Sequence, residues 1–221
     1  MGTIHVEQSD ICGEIMIERT ELLKALNLMS GSWQYQNEKY DKLSRFIYQV
    51  KTADECISAA EKYGVDVNYA LHRWYNFATS KKCEEIFVKF GAKKEEDEYH
   101  HSIDIYINKI AYDVKLTIYP RKLEQENVFL DLENAQDKNE LIRWLYEHQS
   151  QETRKHLKSR IFIVCAGTGT YEKQKLKCDF VKIEKGIKEY MDRLKCTMPN
   201  RVEISDGNEK VFVYSDIIVI K

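Results

Sequence analysis

The clearest pattern in the chain runs from Ser102 to Thr117, where apolar and polar residues alternate around Asn108-Lys109. Strict alternation is the signature of a strand with one buried face. Two strands around a tight turn at Asn108-Lys109 place Asp104 opposite Asp113, and Lys115 follows two residues later on the same face. The other face reads Ile103, Ile105, Ile107, Ile110, Tyr112, Val114, Leu116 and Ile118, a continuous apolar surface. One side of this hairpin therefore belongs to a core, and the other gathers two carboxylates and an ammonium.

Elsewhere the pattern is helical. Residues 1–62 form a helical N-terminal lobe, with one helix over Thr20–Leu26 that ends near Gly31. Further helix is expected over Leu43–Lys62, with a break near Thr52-Ala53-Asp54. Gly64 and Gly91 read as helix stops, which gives a long helix from Asn68 to Phe90. The run at 93–98 is a charged connection. After the hairpin come a turn near Pro120, a helix from Asp137 to about Lys158, and a short apolar run, Arg160–Cys165, suited to a buried strand. Phe180–Leu194 is an amphipathic helix. A terminal hairpin follows, Val202–Ser205 and Lys210–Tyr214 around Asp206-Gly207, and then Ile217–Ile220. The core thus spans residues 63–221.

Composition changes this picture little. A content of 43% hydrophobic and 32% charged residues, with two prolines, describes a folded chain and excludes a disordered one. A net charge of -2 shows no global field for nucleic acid, so such binding would rest on local patches. The six cysteines contain no CxxC pair, which excludes a zinc ribbon or a thioredoxin-type motif. No apolar run approaches the roughly 20 residues that span a bilayer. The opening MGTIHVEQSD lacks a basic stretch followed by an apolar core, so no secretory signal is expected. A cytoplasmic protein with reduced thiols, without membrane association, is the expectation.

The order helix, antiparallel hairpin, helix, buried strand over residues 65–165, with Asp104 on one hairpin strand and Asp113-Val114-Lys115 on the next, resembles the PD-(D/E)xK nuclease superfamily. Asp113-Val114-Lys115 is the only (D/E)-x-K match in the chain; Ile103 stands where the motif has proline. The resemblance implies an α/β protein of restriction-endonuclease-like fold, a mixed central sheet flanked by helices. It implies Asp104 and Asp113 as ligands of Mg²⁺ (or Mn²⁺), helped by the Val114 carbonyl, because hard divalent ions take oxygen donors. Lys115 would polarise the attacking water and offset charge on the phosphate. A further glutamate from the preceding helix is expected at Glu84 rather than Glu85, since Glu84 shares a side with Phe77 and Phe87. Nucleic acid is then the substrate, DNA ahead of RNA, and restriction or defence is the setting. The protein would act as a homodimer or as a subunit of a larger complex. Asp113→Ala should abolish cleavage and leave the fold intact.

Two alternatives stand beside this. The chain can be a catalytically inactive nuclease-fold subunit that binds a protein or nucleic acid. It can also be an unrelated α+β interaction domain whose charged hairpin face is only solvated. Arg154, Lys155, Lys158 and Arg160 form a basic cluster that suits phosphate contacts, although cations at a helix C-terminus are favourable in any case. Gln149 and Gln151 are supporting polar candidates. Gly167-Thr168-Gly169 lacks the residues of a phosphate loop and reads as a strand-exit loop. His100-His101 read as exposed residues. Trp33, Tyr35, Tyr40 and Tyr48, interleaved with Lys39, Lys42 and Arg45, read as packing or a partner surface before a base-stacking one.

Overall fold

The structure, a computed structural model, describes residues 17–30, 37–96, 103–149, 158–206 and 209–221. His100-His101, Trp33, Tyr35, Gln151, Arg154, Lys155 and Gly207 lie outside the described residues. The chain forms two compact units, Met1–His72 and Arg73–Lys221.

The first unit is helical: α1 (Arg19–Leu28), α2 (Glu38–Leu43), a 3-10 turn (Arg45–Tyr48), α3 (Ala53–Tyr63) and the start of α4 (Val67–Lys89). The expected break near Thr52 is present, where a Thr52–Glu55 capping box starts α3, and the stretch expected as helix from Leu43 holds a 3-10 turn after α2, which Asn37 caps. Gly64 ends α3 in the left-handed conformation, at φ 64°. Leu22, Ala25, Ile47, Cys56 and Ala60 are buried.

The second unit is a six-stranded mixed sheet flanked by helices, an α/β architecture. Its strands are β1 (Lys93–Lys94), β2 (Ile105–Ile107), β3 (Ile110–Ile118), β4 (Arg160–Cys165), β5 (Arg201–Asp206) and β6 (Glu209–Ile220), in the order β1-β2-β3-β4-β6-β5. The pairs β1–β2, β2–β3 and β5–β6 are antiparallel, whereas β3–β4 and β4–β6 are parallel. The β2–β3 hairpin pairs Ile105 with Tyr112 and Ile107 with Ile110. Asn108 and Lys109 both take positive φ, 50° and 67°, as a two-residue turn matching strand twist requires.

Helix α4 and α8 (Phe180–Arg193) cover one face of the sheet, where Cys83, Ile86, Phe87, Ile183, Ile187 and Tyr190 meet Ile105, Tyr112, Val114, Leu116 and Ile163. Each such side chain contributes roughly 1.5–3 kcal/mol by leaving water. A side chain at Gly186 would meet Ile218 and Ile220 at 3.0 Å, so glycine permits the close approach of α8. Helix α6 (Ala135–Gln149) covers the opposite face through Leu141, Ile142, Leu145 and Tyr146 against Phe162, Val164 and Ile217. Two short helices, α5 (Arg121–Gln125) and α7 (Thr170–Leu176), replace the expected turn near Pro120 and extend the loop that leaves β4.

The terminal strand differs from expectation. β6 continues through Ser215 and Asp216, because both polar side chains are buried with partners. Ser215 Oγ donates to the Arg160 carbonyl at 2.9 Å, and Arg193 donates to Asp216 at 2.6 Å. Among the described residues no helix is long and apolar enough to cross a membrane.

Candidate active site

The site begins where the hairpin opens. β2 starts at Ile105, and just before it the Asp104 amide donates to the Tyr112 carbonyl at 2.9 Å. The Asp104 carboxylate then accepts from the Val114 amide at 2.6 Å. A side chain thus satisfies a β3 backbone donor where the two strands part, and this anchors the carboxylate against β3.

Asp113 and Lys115 share the face of β3 opposite the buried Tyr112, Val114 and Leu116. Asp113 is buried and holds two cations: Lys115 Nζ lies 2.5 Å from its Oδ1, and Arg160 Nε lies 3.1 Å from its Oδ2. The Lys115 side chain is 44% exposed, whereas that of Arg160 is 8% exposed. Burial pushes the Asp104 carboxyl up to about 6, the Val114 amide opposes the rise, and the adjoining Asp113 carboxylate adds to it by charge and hydrogen bond. The Asp113 carboxylate is thus close enough to act on Asp104 by charge.

Glu84 on α4 is mostly buried and lies within electrostatic reach of Asp104. Burial raises its carboxyl to about 7, and the Asp104 charge adds to this, while Lys81 and Lys94 pull it down. Glu84 pairs with Lys81 at 3.7 Å, and Glu85 pairs with Lys82 at 2.8 Å. Among the described residues no three His, Cys, Asp or Glu side chains form a group that could hold a metal ion. The structure therefore brings Asp104 and Asp113 together, adds Lys115 and Arg160, and leaves Glu84 standing off.

The basic cluster takes a different form from the expectation. Arg160 is not an exposed residue at a helix end; it begins β4, is buried, and is paired in register with Asp113. Its guanidinium carbon lies 5.1 Å from the centre of the Tyr146 ring. Lys158 lies between α6 and β4, and its carbonyl accepts from Tyr146 Oη at 2.6 Å. Sequence reasoning missed the role of Arg160 on Asp113. The available signal was an arginine opening an otherwise apolar strand, which needs a buried carboxylate.

Comparison of the chain with family models, with curated proteins and with solved structures returns no match.

Proposed function

We propose that this chain is a divalent-metal-dependent nuclease of restriction-endonuclease-like fold, hydrolysing phosphodiester bonds of nucleic acid. The observation that carries the reading is the Asp104 carboxylate held on the Val114 amide next to Asp113, with the Lys115 ammonium on Asp113. The order α4, three antiparallel strands, α6 and a parallel β4 supports the fold assignment. Like charges drawn together are unfavourable for stability alone, and a carboxyl raised beside a second carboxylate, as Asp104 is, is common at functional sites. DNA ahead of RNA, a cytoplasmic setting in restriction or defence, and a homodimer or larger complex belong to the same reading and rest on the resemblance.

The donor set fits Mg²⁺ or Mn²⁺ in kind, since carboxylate and carbonyl oxygens are hard donors, and an ion would take the place that Lys115 holds on Asp113. Asp104 and Asp113 would hold the ion, with the Val114 carbonyl as a further donor and Glu84 supporting Asp104. When bound, the ion supplies a water of lowered pKa and neutralises charge on the phosphate. The chain's own part is positional and electrostatic. Val114 holds Asp104 in place through its amide. Lys115, on a flexible and half-exposed stem, can leave Asp113 and meet a non-bridging phosphate oxygen. Glu84, near neutrality in its titration, can hold or release a proton beside Asp104 at physiological pH.

A catalytically inactive subunit of the same fold is the second reading. The observation favouring it is that both Asp113 oxygens already carry cations. Incubation with plasmid, single-stranded DNA and RNA in Mg²⁺ or Mn²⁺, with an EDTA control, separates the two. Metal-dependent, EDTA-sensitive cleavage supports the nuclease, and intact substrates throughout support the binding subunit.

A further inference from the structure

Arg160 is a buried guanidinium, strongly unfavourable unless it is paired and held. Its Nε donates to Asp113 Oδ2 at 3.1 Å, its guanidinium lies over the Tyr146 ring, and its carbonyl accepts from Ser215 Oγ. Tyr146 is itself fixed by its hydrogen bond to the Lys158 carbonyl. Contacts from α6 and β3 therefore hold this side chain, and the Ser215 hydroxyl of β6 holds its backbone. Lys115 on the other oxygen is the opposite case, with its side chain 44% exposed. Asp113 has one oxygen gripped from the interior and one shared with a cation that solvent reaches.

We propose that Arg160 is a positioning residue: it holds Asp113 Oδ2 and so reserves Oδ1, which Lys115 occupies here, for the divalent ion. The inference rests on Asp113 being a metal ligand, as proposed above. Lys115 would leave Oδ1 when the ion binds, while Arg160 stays on Oδ2. Charge alone does not accomplish this, since a lysine at position 160 would bring the charge without the planar, directed donor.

The test is calorimetric titration of Mn²⁺ into wild type, Arg160→Lys and Lys115→Met, with thermal unfolding to confirm that each is folded. Loss of a group that orients a metal ligand weakens binding about 10- to 100-fold. Arg160→Lys should bind Mn²⁺ at least about 10-fold more weakly than wild type, and Lys115→Met at least as tightly, because the competitor at Oδ1 is gone. Equal affinity in Arg160→Lys and wild type overturns the proposal. Should Arg160→Lys fail to fold, a crystal structure of wild type grown with Mn²⁺ decides. The expected result is Mn²⁺ on Oδ1, Lys115 displaced and Arg160 still on Oδ2; Mn²⁺ on Oδ2 with Arg160 displaced overturns it. Absence of Mn²⁺ binding by wild type removes the metal site and the inference together, an outcome distinct from a binding wild type with an unaltered variant.

Discussion

Arg160 and Asp113 stand at paired register positions on the parallel strands β4 and β3, and their side chains meet at 3.1 Å. This contact alters what a substitution at Asp113 does. Asp113→Ala should leave a buried guanidinium without its carboxylate and cost about 3–5 kcal/mol, where the sequence alone suggested an unaffected fold. Asp113→Asn keeps an oxygen that can accept from Arg160 and should cost markedly less. Urea unfolding of both variants at neutral pH checks this; equal losses, each below about 1 kcal/mol, would show that Arg160 does not depend on the carboxylate.

The same pair marks what the sequence could and could not show. Alternation from Ile103 to Ile118 and the Asn108-Lys109 turn made the hairpin legible down to its register, and Gly64 and Gly91 made two helix ends legible. The inward course of Arg160 was hidden because cations after a predicted helix read equally well as surface. Helix α7 was hidden for a related reason: Lys173 is buried against Glu124 and over Tyr119, so its polar identity masks a core position. Helix α5 spans five residues with Leu123 as its buried residue, too little for any periodicity to show.

Glu84 predicts a pH dependence of stability. Its folded carboxyl, at about 7, lies above the ordinary 4.5. Below about pH 4 both states are protonated and the group costs nothing. As pH rises from about 4.5 to 7 the unfolded chain ionises Glu84 while the folded chain still holds the proton, so stability falls over that window and stays lowered above it. Glu84→Gln should therefore be about 1–3 kcal/mol more stable than wild type at high pH, with the difference vanishing in acid. Denaturant unfolding across this range reads it, and a pH-independent difference contradicts the burial argument.

Lys177 makes the converse prediction away from the site. It is buried, its Nζ donates to Asn76 Oδ1 and lies over the Tyr75 ring, and burial lowers its pKa to about 8 while the thiols of Cys165, Cys83 and Cys178 oppose this. The folded value lies below the ordinary 10.5, so the wild type gains stability as pH rises from 8 to 10.5. Lys177→Met should be the more stable protein at pH 7, by about 1–3 kcal/mol, and should lose that advantage in alkali. Thermal unfolding at neutral and alkaline pH measures it; an advantage that widens with pH would contradict the assignment.

The proposed nuclease needs Asp104 and Asp113 to form one site for a divalent ion. Calorimetric Mn²⁺ titration of wild type and Asp113→Asn, run beside the cleavage assay on the same preparations, tests it most directly. Wild type should bind Mn²⁺ and cut in an EDTA-sensitive manner, and a folded Asp113→Asn should lose both. Equal Mn²⁺ binding by the two proteins, or cleavage that survives in Asp113→Asn, would contradict the account.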